Sequence, residues 1–428
     1  MTNSNFGNPT QYQTQSVEID GVSVTGLFMA ISIYENIFSP VITGNITIFD
    51  TDGSRFVEDN EIEFIEDIKF SFKNANDEVL EFEGVLNGLT NKIIKDSKKI
   101  YNVDFTSKAV RKNEATFITK AYRDKRPEEI VREMMEKLGS QEDRFEGFGL
   151  PMTFNSSRRR PTEVIKYVLT HAVTSGQDSP STQETEGSQD GETKGTTGFL
   201  FWETLDGHRF VDIQSLRKGE GGGNDAGEFR YQLQNKSLSM EDAMIGVIDY
   251  DFKRIGDFQS KLRSGAFKNK VITFDVDTGQ YVEFDYNDDK NMTEKQKKAL
   301  EEAGDASTRV MSRLFSNEKG ENSCEKAQKE KHDQSKQYLA QNQVSQNTFD
   351  DQCGSFTLPP QFTVRAGDSM KIRIPKVESE KGRGIDEKHS GKYIIRQVGH
   401  HIFADGRAYT KLTTIRSTVQ QDDKTSES

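Results

Sequence analysis

The sequence predicts an α+β protein that is mainly β: two tube-type antiparallel β-barrel or sheet domains related by an internal pseudo-repeat, plus an α+β accessory domain and a charged helical insertion. Three observations carry this reading. Runs of alternating apolar and polar residues occupy both ends of the chain, two proline-led amphipathic repeats interrupt them, and segments near the start have counterparts near the end.

The first strands lie in VEIDGVSV, LFMAISIYENIF and VITGNITIF, which are rich in β-branched and aromatic residues and place Ile42, Ile46 and Ile48 on one face. EDIKFSFKN then alternates Ile68, Phe70 and Phe72 with Lys69 and Ser71. A KDSKK turn divides EFEGVLNGLTNKIIKDSKKIYNVDFTS into two further strands, so residues 1–110 form the first β domain.

After this the period changes. RPEEIVREMMEKLG puts Pro127 at a first helical position, repeats Ile130, Met134 and Leu138, and stops at Gly139. RPTEVIKYVLTHA repeats the design with Pro161, Ile165 and Leu169. Residues 174–197 are too polar to pack and predict a mobile loop. GFLFWETLDGHRFVDIQSL reads as a hairpin turned at Asp206 and Gly207, which closes an accessory domain at 111–216. Strand-like sequence returns in VIDYDF, KVITFDV and FTVRAGDSMKIRIPK. The second β domain is therefore expected to be discontinuous, 217–290 with 354–418, around a partly helical insertion at 291–353 and before a flexible tail at 419–428. Val310, Met311, Leu314 and Phe315 form the insertion's apolar helical stripe.

The pseudo-repeat rests on two alignments. SPVITGNITIFDTD (39–52) over SGAFKNKVITFDVD (264–277) matches Ser39, Phe49, Asp50 and Asp52 with Ser264, Phe274, Asp275 and Asp277. DIKFSFK (67–73) finds a partner in SMKIRIP (369–375), and each leads through a glycine, Gly84 or Gly391, into a strand, a polar turn and another strand. The second turn is ADGR, so RQVGHHIFADG is one arm of a hairpin. Neighbouring strand residues point to opposite faces, so His400 and His401 do not converge on one ion.

Chemistry-bearing patterns are missing elsewhere. KGEGGGNDAG lacks the Gly-Lys-Ser/Thr of a phosphate loop, no Gly-x-Ser-x-Gly occurs, and Cys324 and Cys353 are read as reduced thiols outside any zinc pattern. Asp50, Asp52 and Gly53, like Asp275, Asp277 and Gly279, have the wrong spacing for a calcium loop and read as turns. Trp202 reads as hairpin core, and Arg158, Arg159 and Arg160 as a solvated turn before a helix. The formal charge of −12 argues against a protein that grips DNA through its field. No run approaches the roughly 18 apolar residues of a membrane span. The N-terminus lacks signal-peptide regions, so folding in a cytoplasm is expected. The residues predict no enzyme, metal or cofactor.

LFMAISIYENIFSPVITGNITIFDTDG, the paired RP-x-E helices, GFLFWETLDGHRFVDIQSL and SGKYIIRQVGHHIFADGRAYTKLTTIRS resemble the central baseplate hub subunit of T-even-type contractile-tailed bacteriophages, in the versions carried by marine and cyanobacterial myoviruses. The resemblance spans most of the chain in order. It implies a homotrimeric ring of six similar β modules that adapts a sixfold tail tube to a trimeric spike, with DNA only in transit through the channel. It also implies partners: the trimeric spike or tail lysozyme protein, tube-initiator or tube proteins and neighbouring baseplate wedge proteins, with no stable membrane binding. The location it implies is the virion baseplate, assembled in a host bacterial cytoplasm. Phe38 and Arg373 are candidate interface contacts, and Ile42, Ile46, Val271 and Tyr393 are strand positions for either interface or core. Two alternatives stand beside this: the spike base of a contractile injection or type VI secretion system, and a tail-associated glycan hydrolase, which would need a suitably spaced carboxylate pair.

Overall fold

Alternation of apolar and polar residues turns the N-terminal segment into seven strands: β1 (Tyr12–Ile19), β2 (Val22–Ser23), β3 (Phe28–Asn36), β4 (Thr43–Thr51), β5 (Asp67–Asn74), β6 (Val79–Lys95) and β7 (Lys98–Ser107). A one-turn helix, α1 (Phe56–Asp59), follows β4. Asp50 caps it, accepting hydrogen bonds from the Phe56 and Val57 backbone. The computed structural model describes residues 6–51, 55–95, 98–146, 149, 151–172, 198–218, 222–231, 239–253, 259, 268–275, 281–287, 294–303, 309–315, 352–376, 384–386 and 389–416. The predicted loop at 174–197, the tail at 419–428, Cys324 and most of the 291–353 insertion lie outside them.

The accessory region contains α2 (Ala109–Ala115), β8 (Ile118–Lys125), α3 (Pro127–Leu138), β9 (Glu142–Glu146), β10 (Met152–Arg159), α4 (Pro161–His171), β11 (Phe199–Thr204), β12 (Gly207–Asp212) and α5 (Ile213–Lys218). Proline at the first turn starts α3 and α4, and Gly139, at φ 66°, ends α3 in the left-handed conformation that only glycine adopts without strain. Ile130, Val131, Met134, Val164, Ile165 and Val168 fill a core beneath β11 and β12. β8 pairs with β10, while β12 lies between β11 and β9.

The remaining elements are β13 (Asp225–Tyr231), α6 (Met240–Met244), β14 (Gly246–Val247), β15 (Asp249–Lys253), β16 (Lys268–Asp275), β17 (Tyr281–Asn287), α7 (Glu294–Ala303), β18 (Arg309–Phe315), β19 (Gln352–Leu358), β20 (Ser369–Arg373), β21 (Gly391–Phe403) and β22 (Arg407–Arg416). The chain is thus α+β and mainly β, dominated by one fourteen-stranded sheet that runs β14-β13-β20-β21-β3-β4-β7-β6-β5-β1-β2, with β22, β19 and β15 branching from β21.

Within that sheet one pattern occurs twice. The order β5-β6-β7-β4-β3 and the order β20-β21-β22-β19-β15 are both antiparallel throughout, and each centres on a long hairpin, β6–β7 or β21–β22. The strands of the 67–73 and 369–375 match, β5 and β20, hold corresponding positions in the two orders. The match of 39–52 with 264–277 is corrected: β16 leaves the large sheet and pairs with β17 and β18, and the counterpart of β4 is β19. VITIF-like sequence specifies a strand but not its neighbour, which non-local pairing decides. The interruption of the second module consequently begins after β15. Val310, Met311, Leu314 and Phe315, read as a helical stripe, lie on the strand β18, parallel to β16.

Each module has its own core. Phe70, Phe72, Phe82, Tyr101 and Phe105 pack in the first, Phe356, Met370, Ile372, Tyr393 and Leu412 in the second.

Candidate assembly site

The two modules join along one edge of β21. Its N-terminal half, Gly391–Ile394, pairs with β20, and its C-terminal half, Gln397–Phe403, pairs with β3 from Asn36 to Ala30. Arg396 lies at the bulge between these halves, where the register against β22 also shifts. β3 and β20 therefore share a single strand edge.

Side chains fix the junction from both faces. His401 Nδ1 lies 3.0 Å from Ser32 Oγ, and Tyr34 meets the His401 ring edge-on. Gly399 leaves room for Tyr34, since a Cβ there would lie 3.1 Å from its ring. His400 points the other way, buried, with Nδ1 3.0 Å from Thr410 Oγ1 and its ring edge-on to Phe362. Burial pushes the His400 pKa down to about 3, with Arg365 and His401 adding to the effect, so its imidazole is neutral at physiological pH. The adjacent histidines are hairpin residues on opposite faces.

A second layer of charge locks the accessory hairpin onto the junction. The buried Glu35 carboxylate accepts hydrogen bonds from the Leu205 backbone N–H at 2.9 Å and the Ala366 N–H at 2.8 Å. Arg365 makes paired contacts with Asp206, each 2.9 Å. Buried Arg209 reaches Asp143, Asp368 at 2.9 Å and the carbonyls of Gly222 and Ala366. Trp202 Nε1 also donates to the Ala366 carbonyl. These charged groups were missed at sequence level. The available signal was a charged residue inside an apolar run, Glu35 in ISIYENIF and Arg365 in FTVRAGD.

The edge that joins the modules has an open counterpart. On β6, β5 covers Val79–Val85, and the Leu86 and Gly88 N–H groups donate to the carbonyls of Glu66 and Phe64. Leu89–Lys95 has no strand partner on that edge among the described residues. Leu89, Ile93 and Ile94 are 39%, 47% and 64% exposed. β15, the counterpart of β3, pairs only with β19 among the described residues, leaving its outer edge open.

The predicted interface residues fall in different places. Ile42 and Ile46 are buried in the first core and Tyr393 in the second, so they hold this chain together. Phe38 is 43% exposed with the Arg396 guanidinium 5.2 Å from its ring centre, and Arg373 is exposed and paired with Glu228. Val271 lies on β16, opposite Phe284 and Met311 in the small sheet. The structure does not gather these residues into one surface. Arg159, Glu163, Lys166, Tyr167, Thr170 and His171 line an open cleft of about 350 Å³ on α4, with Arg159 stacked over Tyr167.

No family model matches the chain. No curated protein matches it either. Among solved structures it is similar to the tail protein of Neisseria meningitidis MC58, at TM-score 0.54 and 9% identity, covering 95% of this chain and 97% of that one. It is similar also to the 43 kDa tail protein of prophage MuSo2 from Shewanella oneidensis, at TM-score 0.53 and 9% identity, covering 95% and 98%. A component of the type VI secretion system from E. coli aligns at TM-score 0.43 and 10% identity, covering 95% and 76%. The chain has the fold of the two tail proteins.

Proposed function

We infer that this chain is the structural hub subunit of a phage tail baseplate. Three copies close a ring of six β modules, which adapts a sixfold tail tube on one side to a trimeric spike on the other and leaves a channel for DNA. The observation that carries this reading is the duplicated module docked edge to edge within one chain, because a repeat that joins its own copy asymmetrically leaves one half of the same joint at each end. The fold shared with tail proteins over nearly the whole chain supports it.

The role is mechanical. Buried Glu35, Arg209, Arg365 and Asp368 fix how the accessory hairpin sits on the joint, and the chain's net charge of −12 would let phosphate pass a lumen without adhering if the lumen shares that sign. The spike, tube and baseplate wedge proteins are the partners on this reading, and lytic chemistry belongs to the spike. Native mass measurement with negative-stain imaging of the purified chain tests it. Three chains in a ring with six similar lobes are expected, whereas a single-chain particle at all concentrations would overturn the proposal.

A further inference from the structure

We propose that the ring is closed by a copy of the joint already present inside the chain: the outer edge of β15 in one subunit adds antiparallel to the open edge of β6, residues Asn91–Lys95, in the next. This inference rests on the trimeric reading and specifies its interface.

The internal repeat fixes the register. Lys95↔Lys98 and Phe403↔Arg407 are the last pairs of the two long hairpins, so Lys95 corresponds to Phe403. Counting equally from Lys98 and Arg407 reaches Asn102 and Lys411. Asn102 pairs with Thr47, which pairs with Ala30; Lys411 pairs with Thr357, which pairs with Asp249. Asp249 is thereby the counterpart of Ala30. Inside the chain Ala30 faces Phe403 and Ile31 faces Ile402. Between chains Asp249 faces Lys95, Tyr250 faces Ile94, Asp251 faces Ile93 and Phe252 faces Lys92.

Three features favour this occupant. Ile402 is fully buried in the internal joint while Ile94, its counterpart, is the most exposed large hydrophobic residue among those described, so the first copy presents an apolar edge finished for a cover it lacks. Tyr250 and Phe252 are half-buried aromatics packed on one another at the margin of the second core, and this register sets them on the same face as Ile94. The register also sets an acidic residue opposite a basic one at the Asp249–Lys95 pair, which antiparallel ladders favour. Because β15 and β6 are different surfaces, the contact is head-to-tail, and it closes only if each joint turns the chain by a fixed angle.

Oxidative cross-linking of the full chain tests this. Two in-register double variants, Tyr250→Cys with Ile94→Cys and Asp251→Cys with Ile93→Cys, bracket the alternation of hydrogen-bonded and non-hydrogen-bonded pairs, so one of them has disulfide geometry. A shifted pair, Tyr250→Cys with Leu89→Cys, and each single variant control for chance contacts and for the native Cys324 and Cys353. The expected result is a shift from one-chain to three-chain covalent species for an in-register pair alone. A native trimer in which neither pair cross-links overturns this interface while leaving the ring intact; a one-chain native mass without cross-links overturns both. As a non-covalent check, Ile94→Asp is expected to abolish the trimer with an unchanged circular dichroism spectrum. Retention of the trimer would count against the joint.

Discussion

Glu35 is a carboxylate sealed where β3 meets the 204–207 hairpin turn and the 365–368 loop, and burial sets its proton affinity. Desolvation pushes its pKa up to about 7, against the pull of Arg365 and of the Ala366 and Leu205 N–H groups. The folded chain therefore keeps a proton that the unfolded chain releases above 4.5, and this group's stabilisation is greatest in acid and lost as the pH rises through about 7. His400 works in the opposite sense. Its folded pKa near 3 lies below the ordinary 6.5, so its contribution is complete above 6.5 and declines as the pH falls toward 3. Between 4.5 and 6.5 the two slopes oppose each other. Glu35→Gln, which removes one slope, is expected to lose about 2 kcal/mol more than the parent on going from pH 6.5 to 5, at about 1.4 kcal/mol per unit. Urea unfolding at the two pH values checks this, and parallel pH profiles for parent and variant would contradict it. Arg209→Ala acts on the same joint through charge. It leaves buried Asp368 without its guanidinium and is expected to cost about 3–5 kcal/mol in the same assay, whereas an exposed pair such as Arg132–Glu142 is worth at most about 1 kcal/mol.

Strands and helices show how far local pattern reaches. Pro127, Pro161 and Gly139 are start and stop signals in themselves, and alternation at Ile68, Phe70 and Phe72 fixes a strand and its buried face, so α3, α4, β5 and the hairpins were legible from sequence. Their neighbours were not. The 264–277 stretch carries the same alternation as β4 and still joins β17 and β18, because the choice among compatible edges depends on which other edges are occupied. The candidate joint was legible only in part: the repeat is in the sequence, but the split of β21 between β20 and β3 is a property of the folded sheet. Strand packing also makes a sharp prediction. A Cβ at Gly44 on β4 would collide with the Phe105 ring and the Ser32 carbonyl, whereas nothing lies within 4 Å of one at Gly26. Gly44→Ala is expected to destabilise the chain by about 1–3 kcal/mol, and Gly26→Ala to stay within about 0.5 kcal/mol, in chemical denaturation.

At the scale of the whole molecule, the repeat supplies its own control for the long interruption of the second module. In the first module β3 and β4 are joined by residues 37–42, and in the second their counterparts β15 and β19 are joined by residues 254–351. Lys253 and Cys353 are partners in the ladder, so the ends of this interruption lie side by side and a short glycine-containing turn would connect them. The described strands inside it, β16, β17 and β18, pair only with one another. Replacing 254–351 by such a turn shortens a loop by between four and five doublings, each worth about 0.6 kcal/mol of closure entropy, so stability is expected to rise by about 3 kcal/mol. Because β15 keeps its outer edge, the shortened chain should also retain the three-chain mass of the parent. Calorimetry and native mass spectrometry measure the two outcomes separately. A gain in stability with loss of the trimer would make the insertion part of the ring contact, and a fall in stability would make it part of the second core.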